Sequence, residues 1–67
     1  KNYYEAFKWY QLSAIQGADR AQFSLGYMYE NGKGVSVDFS QARKWYQLAA
    51  NQGNEKAKTA LDRIRYK

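Results

Sequence analysis

The chain contains neither cysteine nor histidine. The first absence excludes disulfide bonds. Together the two remove the thiolate and imidazole that build most structural zinc sites and supply the usual nucleophile and general base. No apolar run approaches the ~20 residues needed to cross a bilayer. No secretory signal is recognisable, and the first residue is lysine, so the expectation is a segment excised from a longer protein. The acids Glu5, Asp19, Glu30, Asp38, Glu55 and Asp62 fall into no catalytic motif. "NGKGVS" (31–36) has glycines and a lysine but lacks the G-x-x-x-x-G-K-[ST] spacing of a phosphate loop, and it follows no strand, so it reads as a turn. No cofactor, no metal and no catalysis are expected.

Aromatic surface is abundant. Seven Tyr, three Phe and two Trp stand among 67 residues. A chain this short buries only about 60% of its unfolded surface and is marginal unless its core is supplemented. Large rings supply much burial per residue. The formal charge is +5, with Lys56, Lys58, Arg63, Arg65 and Lys67 set against Asp62 alone over the last twelve residues.

The strongest signal is internal repetition. "KWYQLSAIQG" (8–17) returns as "KWYQLAANQG" (44–53), and Ala6/Ala42, Trp9/Trp45, Gly17/Gly53, Ala21/Ala57 and Leu25/Leu61 are each 36 positions apart. A fixed period without insertion marks a stacked array whose unit cannot bury its apolar face alone. Phe39, Ala42, Trp45 or Tyr46, and Ala49 recur at three- and four-residue steps, as do Ala21, Leu25, Met28 and Tyr29, so the unit is a pair of amphipathic helices. Asn2 and Asp38, followed three residues later by Glu5 and Gln41, are expected N-caps. Gly17 and Gly53 are expected left-handed C-terminal caps. Four antiparallel helices near 2–16, 18–31, 38–52 and 54–66 follow. The small residues and rings of the repeated phrase point to packing rather than to a duplicated site.

The elements "A-x-x-x-L-G-x-x-Y", "G-x-G-V" and "D-(F/Y)-x-x-A-x-x-W-Y-x-x-A-A-x-x-G" are carried here by Ala21, Leu25, Gly26, Tyr29, Gly32, Gly34, Val35, Asp38, Phe39, Ala42, Trp45, Tyr46, Ala49, Ala50 and Gly53. In them the chain resembles the Sel-one-like repeat (SLR) family, relatives of the tetratricopeptide repeats. Where the family usually has Pro after the Val, this chain has Ser36, which leaves the turn less constrained. The resemblance implies an all-α, right-handed α-α superhelix (solenoid) segment of one full SLR unit and two half units: half repeat 1–17, full repeat 18–53 and a C-terminal capping helix 54–67. It implies that Gly26 lies against Ala42. It also implies adaptor roles in bacterial envelope, secretion and host-interaction systems, with periplasm or secretion as the setting, or in eukaryotic protein quality control.

The two ends differ. Asp62 stands where Gly26 would recur, and a carboxylate is costly to bury there, so 54–66 reads as a polar cap. At the other end Ala6, Trp9, Tyr10 and Ser13 form an open edge that a preceding repeat or another copy of the chain would cover. By tetratricopeptide-like geometry the concave face carries Arg20, Phe23, Tyr27 and Glu30, then Lys56, Thr59, Arg63 and Tyr66, a strip of cations and rings suited to an acidic protein or peptide. Leu12 and Leu48, on an otherwise polar convex side, are expected to cover the flanks of neighbouring helices, the alternative being lateral packing. The alternative to a non-catalytic protein-binding scaffold is a nucleic-acid or other polyanion binder using the basic C-terminal helix.

Overall fold

A computed structural model describes residues 2–65. Four helices follow one another: α1 (Tyr3–Ile15), α2 (Asp19–Asn31), α3 (Phe39–Asn51) and α4 (Glu55–Ile64). Each packs on its neighbours in sequence, the α2–α3 contact being the most extensive. Among the described residues there is no strand, and no helix is long and apolar enough to cross a membrane.

The helix ends follow from local chemistry. Asn2 accepts a hydrogen bond from the Glu5 amide at 3.2 Å, and Asp38 accepts one from the Gln41 amide at 3.1 Å. Asn54 repeats the device for α4, accepting from the Ala57 amide at 2.9 Å. Each satisfies one of the amides that a first helical turn leaves without a partner. Gly17 and Gly53 close α1 and α3 at φ of +98° and +93°, where a residue with Cβ would be strained.

Two clusters form the core. Ala14, Ala21 and Leu25 bring α1 and α2 together, with Phe7 and Trp45 laid against them. Ala42, Tyr46, Ala49, Ala57, Ala60 and Ile64 join α3 to α4, with Phe23 and Tyr29 of α2 packed on the outside. The alanines let helix axes approach, and the rings fill the remaining space.

The nearest neighbour of Gly26 is an aromatic ring. A Cβ on Gly26 would lie 2.6 Å from the Tyr46 ring, so the glycine makes room for an aromatic face. Tyr46 is fully buried and donates its hydroxyl to Glu30 Oε1 at 2.8 Å, while Arg63 donates to Glu30 Oε2. One buried carboxylate thereby ties α2 to α3 and α4. Burial first, then the neighbouring Glu30, hold the Tyr46 phenol well above its ordinary value. The hydrogen bond to Glu30 raises the Arg63 guanidinium as well.

Polar ties also cross the repeat. Gln52 Nε2 donates to the Gly17 carbonyl at 2.8 Å and to Gln22 Oε1 at 3.0 Å, and Gln22 Nε2 donates to the Ala14 carbonyl at 3.1 Å. Asn54 donates to Asp19 Oδ2 at 2.9 Å. The repeated "QG" is thus a joint between successive turns as well as a helix end.

Two predictions follow from the Tyr46 seat. Gly26→Ala gains helix propensity of up to about 1 kcal/mol, but it drives a methyl into a ring pinned at its far end. Overpacking of this kind costs about 1–3 kcal/mol, so a net loss of thermal stability is expected in a melt. Tyr46→Phe removes a donor from a buried carboxylate, at a cost of about 1–3 kcal/mol in urea denaturation at neutral pH. Its pH dependence has a definite sign. In the unfolded chain the phenol ionises from about pH 10 upward, while the folded chain keeps it protonated to higher pH. The stability that Tyr46 contributes is therefore complete below that value and declines above it, and the alkaline decline should be shallower in Tyr46→Phe.

Candidate functional site

Helix α2 presents two faces. Ala21, Leu25 and Met28 turn inward, while Arg20 and Tyr27 are exposed and Phe23 is half-buried. Helix α4 adds exposed Lys56 and Thr59. Arg20, Phe23, Tyr27 and Lys56 open onto two adjoining clefts. One, of about 610 Å³, lies between the starts of α2 and α4 and is lined by Arg20, Phe23, Ser24, Asn54, Glu55 and Lys56. The other, of about 430 Å³, lies between α1 and α2, with Ala6, Tyr10, Phe23, Tyr27 and Met28 among its walls. Its cations are Lys33 and Lys56, and no acidic side chain lines it. Phe23, Ser24 and Lys56 belong to both clefts.

The expected concave strip is therefore only partly a free surface. Glu30 is a correction: its side chain is 2% exposed and is held by Tyr46 and Arg63, so it faces the interior and offers nothing to a ligand. Arg63 is half-exposed, yet its guanidinium is committed to that carboxylate. A charge on Glu30 is tolerated at this depth because it is paired and hydrogen-bonded. Thr59 is exposed but lines neither cleft, and Tyr66 lies outside the described residues. Two further cations are also engaged, Lys58 of α4 lying 3.6 Å from Glu55 and Arg65, just past the helix, 3.7 Å from Asp62. These are exposed pairs of the kind that contribute little to stability.

At the open edge Trp9 is 71% exposed and Tyr10 40%, with Ser13 exposed and Ala6 half-buried. Leu12 and Leu48 both remain exposed, Leu12 the more so. Four residues lining the α1–α2 cleft were not among those expected from sequence: Tyr3, Ser24, Met28 and Lys33. The Lys33 ammonium sits 5.2 Å from the centre of the Tyr3 ring, a cation–π distance. Its place in the 31–36 turn gave no hint of this, because the turn's fold over α1 is a tertiary matter. Among the described residues no group of acids could hold a metal ion.

Comparison with known proteins accords with this architecture. The Sel1 repeat family matches residues 1–17 and 19–54. Over 42 residues the chain is 45% identical to the ERAD-associated E3 ubiquitin-protein ligase component HRD3 of Candida glabrata, covering 63% of this chain and 5% of that protein. Over 38 residues it is 47% identical to the chitin synthase regulator SKT5 of Saccharomyces cerevisiae, covering 57% of this chain and 6% of that one. The crystal structure of a Sel1 repeat protein from Oxalobacter formigenes superposes with a TM-score of 0.90 at 44% identity, covering 91% of this chain and 25% of its own. The chain thus spans only a small part of each relative. Sel1 repeats generally mediate protein–protein interaction and are typically non-catalytic. With its repeated helix pairs, its 36-residue period and a family match over most of its length, this chain belongs to the Sel1 repeat family.

Proposed function

We propose that this segment is a non-catalytic scaffold that holds a partner protein or peptide of acidic character along the strip formed by Arg20, Phe23, Tyr27 and Lys56. The observation that carries the proposal is the pair of adjoining clefts in which those cations and rings converge. Arginine offers paired hydrogen bonds to a carboxylate, and the aromatic faces supply contact area at low entropic cost. The relatives named as a ligase component and an enzyme regulator are proteins that work with others, which suits a module without chemistry of its own. Helix α4, with Asp62 in the register of Gly26, acts in this scheme as the polar terminal cap.

The polyanion alternative draws on the same positive charge. It is weakened by the engagement of Arg63, Lys58 and Arg65 with Glu30, Glu55 and Asp62, since a phosphate backbone must compete with those carboxylates.

Selection of random peptides displayed against the 67-residue chain should enrich sequences carrying Asp or Glu beside an aromatic residue. Arg20→Glu with Lys56→Glu should weaken the selected peptides by about tenfold or more, given ~1.5–3 kcal/mol for a hydrogen bond to a charged group. Arg63 is left out of this test because its reversal would set two carboxylates together in the core. Selected peptides indifferent to the double reversal would remove the strip from consideration. A single-stranded oligonucleotide is expected to bind negligibly even at low salt, whereas tight binding that falls steeply with salt would favour the polyanion alternative.

A further inference from the structure

The turn that joins α2 to α3 opens on Asn31-Gly32. Asparagine is among the chemically labile residues, and it is most so before glycine. Glycine sets no Cβ beside its amide nitrogen, so that nitrogen can close on the asparagine side-chain carbon and form a cyclic imide. Asn2, Asn51 and Asn54 precede Tyr3, Gln52 and Glu55, whose side chains hinder the same closure. Asn31 is also exposed, at the last position of α2, so water and hydroxide reach it.

Two hydrogen bonds engage the reacting groups in the folded chain. Asn31 Nδ2 donates to the Tyr27 carbonyl at 2.9 Å. The Gly32 amide, in the left-handed cap at φ +67°, donates to the Met28 carbonyl. Ring closure needs the Gly32 nitrogen deprotonated and turned onto Asn31 Cγ, so both bonds must open together. They belong to the last turn of a helix, where opening is least costly.

We propose that Asn31-Gly32 is a site of spontaneous covalent modification gated by this turn. Hydroxide takes the proton of the Gly32 nitrogen, which attacks Asn31 Cγ. The new C–N bond forms, the Cγ–Nδ2 bond breaks, and ammonia leaves with a proton from water, which regenerates hydroxide. Water then adds to either carbonyl of the imide and opens it. One product is aspartate at 31. The other is isoaspartate, which adds a methylene to the main chain. The turn has no slack for that methylene: a Cβ on Gly32 would already meet Val37 Cγ2 at 2.9 Å, and one on Gly34 would collide with the Tyr3 carbonyl. The Asp38 amide then ties the far side of the turn to the Tyr29 carbonyl at 3.0 Å. Either product also exchanges a donor to the Tyr27 carbonyl for a carboxylate at a helix C-terminus, where negative charge is unfavourable. Asn31 adjoins Glu30, which binds α2 to α3 and α4, so modification loosens the helix pair at its central tie.

The test is timed incubation of the 67-residue chain in warm, mildly alkaline buffer, with peptide mapping by mass spectrometry and a thermal melt of each sample. Asn31 should be modified ahead of Asn2, Asn51 and Asn54, at a rate proportional to hydroxide. With two hydrogen bonds of modest net strength to open, the folded chain should react about tenfold or more slowly than the chain in urea. The isoaspartate fraction, separated by reversed-phase chromatography and refolded, should melt below the unmodified chain treated in the same way. Asn31→Gln keeps an amide at 31 but closes the ring far more slowly, so it should hold its melting temperature through the incubation. Modification of Asn31 no faster than that of Asn51, or equal rates in the folded chain and in urea, would overturn the proposal. So would an isoaspartate fraction that melts with the unmodified chain, or an Asn31→Gln variant whose melt falls as fast as the parent's.

Discussion

Tyr46 can be buried only if the residue facing its ring has no side chain and the residue at its hydroxyl can accept a hydrogen bond. Gly26 and Glu30 meet these two conditions from one helix, four residues apart and therefore on one face. The ring then becomes the floor on which Phe23 lies, and the carboxylate becomes the anchor to which Arg63 of α4 attaches. Three helices are positioned by one phenol. The cost of burying a carboxylate is offset by two donors, one of them cationic, and the arrangement is unforgiving: removing either partner leaves charge in a dry place. Small residues elsewhere in the core are consistent with the same logic, since the ring needs the helices close.

The helices themselves were legible because each carries its own punctuation. Asn2, Asp38, Gly17 and Gly53 mark ends by local chemistry, and the three- and four-residue apolar spacing marks faces. The 36-residue period fixed the pairing of helices. What spacing could not show was which side chain lies over which. The resemblance set Gly26 against Ala42, and the tightest demand on the glycine comes from the much larger ring of Tyr46. Glu30 read as part of a polar face because Phe23 and Tyr27 share its periodicity. Its burial depends on Arg63, 33 residues further on, and such a partnership leaves no trace in a helical pattern. Lys33 and Gln22 were overlooked for the same reason: a turn lysine and a mid-helix glutamine look solvated until the neighbouring helices are in place.

In a stacked array each helix pair is finished by its neighbours. Tyr10 and Tyr46 are the same residue in the same register, and they differ in cover. A family whose repeats generally mediate protein–protein contact can draw both cohesion and recognition from that one geometry. The cations around the clefts, Arg20, Lys33 and Lys56, add a sign preference without altering the packing rule.

The central claim is that the recurring Trp-Tyr phrase is a packing unit whose burial is conferred by the helix laid over it. Acrylamide quenching of the two single-tryptophan variants, Trp9→Phe and Trp45→Phe, tests it directly. The variant retaining Trp9 should quench nearly as readily as a free indole, and the variant retaining Trp45 several-fold less, until urea unfolds the chain and the two converge. Equal quenching of both tryptophans in the folded chain, whether high or low, would contradict the claim.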